Sequence, residues 1–284
     1  MEALPKTRCL EFNPNTLSAL REQYNYGTPK LMNEAIDILE QWLQKQDHLT
    51  KKDFSREYLE RSIIISKDVK ELLKEYNGEI IDFIVPKLTE DNYRVYILQN
   101  CGKQSSFLNY FKFLLVMCEY FQSHDYCNGV MAVFDYRKAN VLEIIKALNL
   151  VELRQVVAII TEGYSLRLKG LHFITPSKAI DAIVTMMKQV MSEKLAKRIF
   201  VHNNVSSLGE HIAPLDILPE EYGGKERSAQ KLHDEIIDEV NSNEFMDYLK
   251  ELKSARSDES KRHIDKFNDL YMGTPGSFRT LNVD

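Results

Sequence analysis

The sequence has few of the features that mark exported, disulfide-linked or membrane-spanning chains. No Cys-x-x-Cys pair occurs among its four cysteines, which are Cys9, Cys101, Cys118 and Cys127. The start, Met-Glu-Ala-Leu-Pro-Lys, lacks the apolar region of a secretory signal, so we expect reduced cysteines and a cytoplasmic location. The longest apolar run, Phe113 to Cys118, is far shorter than the roughly 20 residues of a spanning helix, and no transmembrane segment is predicted.

An excess of positive charge is also absent. The chain has 37 Lys and Arg against 42 Asp and Glu, a formal net charge of -5. This balance removes the field with which nucleic-acid binders attract phosphate backbones, although it allows a local basic patch. Apolar residues at 44% and charged residues at 28% are typical of a soluble globular chain, and 284 residues suffice for one sizeable domain and a smaller one.

Patterns of catalysis and metal binding are missing as well. No serine or cysteine lies in a nucleophile-elbow pattern, and Gly223-Gly224 follows no phosphate-loop pattern, so it predicts a structural turn. The histidines show no His-x-x-x-His or Glu-x-x-His spacing. They are His48, His124, His172, His202, His211, His233 and His263. We therefore expect that the protein is not an enzyme and that it binds no cofactor and no metal. Of the functional alternatives, a small-molecule enzyme is the weakest.

The most informative stretch lies between Gly163 and Gly224. At 100° per residue, the segment Thr175–Arg198 is amphipathic and predicts one long surface helix. Its apolar half consists of Ile180, Ile183, Val184, Met187, Val190, Met191 and Leu195. A predicted strand precedes it at Leu166–Thr175, and another follows at Phe200–Asn204, before Leu-Pro-Glu-Glu-Tyr-Gly-Gly at 218–224.

Helices and strands alternate in the middle of the chain, which predicts an α/β domain with a partly parallel sheet. The predicted strands are Tyr93–Leu98 and the uniformly apolar Gly129–Asp135, and the predicted helices are Ser105–Tyr120, Lys138–Leu148, Val151–Glu162 and Ser228–Leu252.

The first residues predict a small helical unit instead. Its helices are expected over Leu17–Tyr24, Leu31–Gln46, Asp53–Ile65 and Ser66–Tyr76. We divide the chain into a helical N-terminal module (1–88), the sheet domain (89–252) and a charged C-terminal extension (253–284).

The order of strand, amphipathic helix, strand and Leu-Pro-x-Glu-Tyr-Gly-Gly resembles the CRAL-TRIO family of lipid-transfer proteins, in which a mobile helix gates a hydrophobic pocket. The run Asn128–Asp135 resembles the central strand of the family, and Trp42 to Leu59 resembles its helical N-terminal module more loosely. The resemblance implies a mixed, partly parallel sheet covered by helices, with a gating helix, after a small all-helical domain.

An apolar helix face alone is typical of ordinary core, whereas the resemblance implies a ligand pocket for a retinoid, a tocopherol or a similar lipid. The candidate pocket residues are Phe107, Phe111, Leu115, Val130, Ala132, Phe134, Leu168, Ile183, Val184 and Met187.

Two pairs of basic residues flank the same stretch. Arg167 and Lys169 are expected on one side of a strand, and Lys194 and Arg198 one helical turn apart. Spacing alone favours solvated surface charge, since exposed pairs of this kind are common and weakly coupled. In CRAL-TRIO members, basic residues at the matching positions hold a phosphoinositide headgroup, so the resemblance implies the same role here; Lys67 is the nearest candidate for a further basic position in the N-terminal module.

The implied function is cytoplasmic binding and transfer of a small hydrophobic ligand, with phosphoinositide-dependent release at membranes. We expect a monomer with peripheral membrane contact and no nucleic-acid partner. The alternative is a recruitment module that binds a phosphoinositide or a protein partner and moves no cargo, and a collapsed pocket would favour it.

Overall fold

The computed structural model describes residues 7–23, 30, 80–100, 107–164 and 166–254. The three helices predicted between Leu31 and Tyr76, and with them most of the helical N-terminal module and Lys67, lie outside the described residues, as does the C-terminal extension beyond Ser254. Before the sheet, α1 (Thr16–Gln23) forms where a short helix was predicted.

A five-stranded sheet lies at the centre of the described chain, in the order β1-β2-β3-β4-β5. The strands are β1 (Ile80–Ile84), β2 (Tyr93–Asn100), β3 (Gly129–Asp135), β4 (Leu168–Ile174) and β5 (Ile199–His202). The pair β1–β2 is antiparallel and the other three pairs are parallel, so the predicted mixed, partly parallel sheet is confirmed.

Strand β1 was not predicted. It falls within residues 1–88, which the sequence assigned to the helical module, yet it pairs with β2 over its whole length. The sheet therefore starts before residue 89, and the three domain bounds stay a prediction.

Helices cover the sheet and connect its parallel strands. They are α2 (Phe107–His124), α3 (Val141–Ala147), α4 (Leu150–Ala158), α5 (Ile180–Val190), α6 (Glu193–Ala196), α7 (Ala229–Val240) and α8 (Asn243–Ser254), with a π-helical turn at Ile159–Gly163 directly after α4. Asn140 and Asn149 start α3 and α4, because each side chain accepts a hydrogen bond from a backbone N–H in the first turn.

The prediction of one helix over Thr175–Arg198 is wrong. Helix α5 ends at Val190, Met191 is extended, and the Ser192 hydroxyl accepts a hydrogen bond from the N–H of Leu195 to start α6. A serine that satisfies a free N–H favours a new helix start over a continued helix. Helix α6 ends at Ala196, so Arg198 lies beyond it and the expected one-turn stacking on Lys194 does not form.

The same kind of break divides the helix predicted over Ser228–Leu252. Helix α7 ends at Val240, and the Ser242 hydroxyl accepts a hydrogen bond from the N–H of Phe245 at the start of α8. Both corrections have one cause, a capping serine inside a continuous amphipathic pattern.

Two apolar layers lie on opposite faces of the sheet. Leu171 and Phe173 of β4 face the first layer, together with α2, α4 and α5. Ile174 faces the second layer, which is closed by the irregular segment 205–222 and the start of α7. The side chains alternate because successive residues of a strand point to opposite faces.

The segment 218–224 is fixed to the end of β3. The Tyr222 hydroxyl donates to Asp135 Oδ2 at 2.9 Å, and the Arg137 guanidinium lies 5.4 Å from the Tyr222 ring. Gly223 has a φ of +79°, and a Cβ on Gly224 would lie 1.8 Å from the Leu218 carbonyl oxygen. The Gly-Gly pair therefore forms a structural turn, as the sequence predicted.

None of the helices in the described part of the chain combines the length and the apolar composition that crossing a bilayer requires.

Candidate functional site

An apolar cavity of about 110 Å³ lies between the sheet and the helices α2 to α5. Strands β2, β3 and β4 form its floor, and α2, α3, α4 and α5 form its walls and roof. The described residues that line it include no Asp, Glu, Lys, Arg or His. Such a lining excludes water and suits an apolar guest.

Eight of the ten candidate pocket residues line this cavity. They are Phe107, Phe111, Val130, Ala132, Phe134, Leu168, Ile183 and Met187. Leu115 and Val184 do not line it, although both pack in the same apolar layer. The α2 residues that line the cavity are Phe107, Tyr110, Phe111, Leu114, Cys118 and Phe121. Leu115 lies just outside the arc of the helix that they span, 100° from Leu114.

The sequence analysis missed the contribution of α3 and α4. These helices and the residues that directly follow them supply Ile144, Leu148, Leu153, Val156, Val157 and Ile160 to the lining. Their helical spacing was the available signal, since it places these side chains on one face of each helix. Tyr96, Tyr110 and Tyr136 also line the cavity and were not predicted.

The cavity is smaller than a typical ligand pocket of about 300–1,000 Å³. A ligand of lipid size therefore requires an outward movement of α5 or a repacking of the lining. Helix α5, which we call the gate helix, presents Ile183 and Met187 to the cavity, while its Asp181, Lys188 and Gln189 are exposed. Met187 and Met191 are unbranched and adapt readily to different shapes.

The four predicted cations, Arg167, Lys169, Lys194 and Arg198, form a basic cluster at the edge of the sheet where β2 to β4 begin. Burial and the charges of Arg198, Arg167 and Lys194, in that order of size, lower the pKa of Lys169. The other three cations therefore lie close enough to Lys169 to repel its charge.

Lys169 is held in place by neighbours from β2 and β3. Its Nζ lies 4.8 Å from the centre of the Tyr93 ring and 3.4 Å from Asn128 Oδ1. Gly129 has a φ of +147°, and a Cβ there would lie 2.7 Å from Cε of Lys169. Because glycine has no Cβ, the aliphatic part of the Lys169 side chain can pack directly over the start of β3.

Arg198 joins the cluster from the start of β5 rather than from a helix. Its Nη1 donates to the carbonyl oxygen of Leu168 at 2.6 Å, which ties the residue to the strand that carries Lys169. Arg167 and Lys194 are exposed, and Lys197 pairs with Glu193 at 2.6 Å instead. The arrangement presents several cations to solvent at one place, which suits a ligand with several phosphate charges.

Three histidines meet on the opposite face of the sheet, an arrangement that their spacing in the sequence did not predict. His172 Nδ1 and His202 Nε2 are 3.0 Å apart, and the ring centre of His211 lies 5.1 Å from that of His172. His202 Nδ1 lies 2.9 Å from the Ser207 hydroxyl. Among the described residues no group of three or more His, Cys, Asp or Glu side chains is arranged to hold a metal ion.

A second, wider cleft of about 560 Å³ lies between the end of α2 and α8. Gln122, Ser123, His124 and Glu244 are among its lining residues, so its wall is more polar than that of the cavity under the gate helix. The first cavity is the better match for an apolar ligand.

Comparisons with known proteins indicate the family of the chain. A family model described as "CRAL/TRIO domain" matches residues 83–224, half of the chain. The chain is similar to Alpha-tocopherol transfer protein-like of Mus musculus (29% identical over 98 residues, 34% of this chain and 28% of that protein) and to Clavesin-2 of Rattus norvegicus (34% identical over 98 residues, 34% and 29%). The aligned segment thus spans less than a third of either relative.

A solved structure, "Crystal structure of Sfh5", aligns with 84% of this chain and 81% of its own at 19% identity, with a TM-score of 0.47.

Proposed function

Because the chain belongs to the CRAL-TRIO family, we propose that it binds a small hydrophobic ligand of retinoid, tocopherol or similar lipid type and transfers it, with release at phosphoinositide-bearing membranes. The observation that carries this proposal is the cavity beneath the gate helix, whose described lining has no charged side chain. Transfer of apolar ligand surface from water into such a cavity is favourable by about 25 cal/mol per Å².

The proposal assigns the gate helix a movement. In the closed conformation the cavity holds only about 110 Å³, and we assign the room needed for loading and release to a movement of α5 away from the sheet. Its inner side chains then meet solvent or a bilayer interface, and the bilayer accepts them at a lower free energy than water does. Membrane contact therefore favours the open form.

The cargo site is tested at Ala132 in the middle of β3. This side chain lines the cavity and lies between Tyr96 and Leu171 of the neighbouring strands. We expect native mass spectrometry of the purified protein to detect a bound lipid, and the substitution Ala132→Trp to abolish it by filling the cavity. Ala132→Val adds little volume and serves as the control that keeps binding. Undiminished lipid binding by a folded Ala132→Trp protein would place the cargo elsewhere.

The headgroup site is tested by the pair Arg167→Ala and Arg198→Ala. We expect binding to phosphoinositide vesicles to fall by an order of magnitude or more, since each hydrogen bond to a charged group contributes about 1.5–3 kcal/mol. Binding of the wild type should weaken with salt, because exposed charges are screened over about 8–10 Å near physiological ionic strength.

The matched control is the pair Lys146→Ala and Lys250→Ala. It removes the same charge from exposed ion pairs on α3 and α8 that are not part of the basic cluster. Co-sedimentation with vesicles that contain or lack the phosphoinositide measures both pairs. If the wild type and the variant that lacks both arginines bind these vesicles equally well, the basic cluster is ordinary solvated surface charge and not a headgroup site.

The small size of the closed cavity supports a second candidate, a recruitment module that binds phosphoinositide vesicles and carries no cargo. An empty protein in native mass spectrometry, with vesicle binding that depends on Arg167 and Arg198, would favour this candidate over the carrier.

A further inference from the structure

We propose that the hydroxyl of Tyr136 binds the polar end of the cargo, and that the cargo is a neutral lipid with a hydrogen-bonding oxygen, such as an alcohol or a carbonyl compound. This inference rests on the proposed carrier function and names the chemical class of its ligand. It also orients the ligand, with its oxygen at the end of the cavity far from the basic cluster.

Tyr136 lies at the edge of the sheet where the parallel strands end. It follows the last residue of β3, it lines the cavity, and its relative exposure is 7%. Its N–H donates to the Ile174 carbonyl oxygen at 2.9 Å, and its ring lies 6.3 Å from Phe134 and 6.1 Å from Phe173. The ring is therefore held in a fixed place at the cavity wall.

The Tyr136 hydroxyl has no hydrogen-bond partner among the described residues. Burial alone raises the pKa of this phenol, so it stays neutral and both donates and accepts. Tyr96 lines the same cavity but differs, because its hydroxyl donates to Asp82 Oδ2 at 2.7 Å. A hydroxyl without a partner in an apolar lining is unfavourable, and a ligand oxygen at this place would satisfy it.

The charge of the lining narrows the ligand class further. A carboxylate in the cavity would lose its water and find no cation among the described lining residues, which disfavours fatty-acid anions. A pure hydrocarbon would leave the Tyr136 hydroxyl without a partner. A neutral oxygen avoids both costs.

The position of Tyr136 sets the direction of the ligand. Lys169 follows the first residue of β4, Tyr136 follows the last residue of the adjacent β3, and the strands are parallel. Seven residues of strand separate the two ends by on the order of 20 Å. The apolar part of the ligand therefore extends from Tyr136 toward the basic cluster.

The experiment compares three probes of equal chain length, dodecanol, dodecane and dodecanoate, as competitors of the fluorescent hydrocarbon diphenylhexatriene. We expect the wild type to prefer dodecanol over dodecane by about 2–10-fold, the range of one hydrogen bond. Tyr136→Phe should lose this preference and still bind dodecane. Its melting temperature without ligand should stay the same or rise, because the removed oxygen has no partner in the folded protein.

Tyr96→Phe is the matched control, since it removes a cavity-lining hydroxyl that already bonds Asp82. It should lower the melting temperature and keep the preference for dodecanol. A preference that persists in Tyr136→Phe overturns the role of Tyr136. Equal wild-type affinity for dodecanol and dodecane, or for dodecanol and dodecanoate above pH 7, overturns the ligand class. If diphenylhexatriene and all three competitors fail to bind, the carrier function itself fails.

Discussion

The histidine cluster behind the sheet places a titratable group where it has no access to water. His172 is fully buried, and its Nε2 has no hydrogen-bond partner among the described residues. Burial, followed by the nearby His202 and His211, lowers the pKa of His172 from 6.5 to about 3. Burial and His211 also lower the pKa of His202. The folded protein thus keeps these rings neutral at pH values at which the unfolded chain protonates them.

Acid is therefore expected to destabilise the fold through His172. Below pH 6.5 the unfolded chain binds a proton at His172, whereas the folded protein does so only near pH 3. The free energy of unfolding therefore does not change through His172 above pH 6.5. Between pH 6.5 and pH 3 it falls by at most about 1.4 kcal/mol per pH unit. The substitution His172→Asn removes the titration and keeps a polar atom near Nδ1. Urea unfolding between pH 7 and pH 5 should show a shallower loss of unfolding free energy than in the wild type.

His233 has a raised pKa, so its effect on stability changes with pH in the opposite direction to that of His172. Its Nδ1 lies 2.8 Å from the Asp82 carbonyl oxygen, and although burial alone would lower its pKa, hydrogen bonds to Asp82 raise it. Its stabilising charge is present below pH 6.5 and is lost as the pH rises through the raised pKa. His233→Gln should therefore steepen the acid loss. Identical slopes in the wild type and both variants would mean that neither histidine governs this range.

Among the elements, the gate helix is the one whose movement the proposed function requires. Met187 lines the cavity and is 8% exposed, so the substitution Met187→Asp places a carboxylate in an apolar space without a cation. We expect the helix to undock, because burying an unpaired charge is more costly than exposing the inner face of α5. Retention of cargo should fall because the gate is open. Partition onto vesicles should fall as well, because the carboxylate then lies in the apolar face of α5 that would contact the bilayer.

Cys118 reports this opening directly. It lines the cavity from α2, and burial raises the pKa of its thiol, so alkylation should be slow while α5 is closed. Mass spectrometry of the Cys118 peptide should show faster alkylation in Met187→Asp, with Cys127 as the internal reference. Gln189→Asp, on the exposed side of the same helix, is the control that should alter neither rate. Equal alkylation of Cys118 in all three proteins would contradict a gate at α5.

The sequence predicted the elements where one pattern dominates and failed where local hydrogen bonds or pairing decide. Both predicted strands Tyr93–Leu98 and Gly129–Asp135 are confirmed, and the uniform apolar run of the second is typical of a parallel strand buried on both faces. The helix break at Ser192 escaped prediction because the amphipathic pattern continues across it. Strand β1 was not predicted because it forms by pairing with β2, and such pairing depends on tertiary context rather than on the local sequence pattern.

The same limit applies to the candidate site. Ile183 and Met187 were identified from one helical face, and both line the cavity. Tyr136 was not identified, because its role depends on which hydroxyl lacks a partner, and only the packed structure contains that information. The sequence does predict four cations near each other. However, Arg198 joins them through a hydrogen bond to the Leu168 carbonyl oxygen, and its position depends on the break between α5 and α6.

In the whole molecule, the basic cluster and the cavity are two distinct candidate sites near the gate helix. Arg198 follows α6, and α6 directly follows the gate helix, so a headgroup bound at the cluster lies within one short helix of the gate. If headgroup binding at a membrane favours the open gate, the two ligands act on one equilibrium between closed and open forms. In the proposed carrier, cargo favours the closed form and the membrane favours the open form.

Reciprocity then fixes a last prediction. If phosphoinositide vesicles weaken cargo binding by some factor, cargo must weaken vesicle binding by the same factor, which for coupled sites is commonly about 5–150-fold. The empty protein should therefore bind phosphoinositide vesicles more tightly than the loaded protein, and cargo release followed by fluorescence should accelerate on the same vesicles. In Arg167→Ala/Arg198→Ala both effects should shrink together, while cargo affinity in solution stays unchanged because the described lining of the cavity contains neither arginine. The opposing result is a wild type that releases cargo fast on these vesicles but binds them equally well with and without cargo. The two coupling factors would then differ, and the gate would have to respond to something other than the basic cluster.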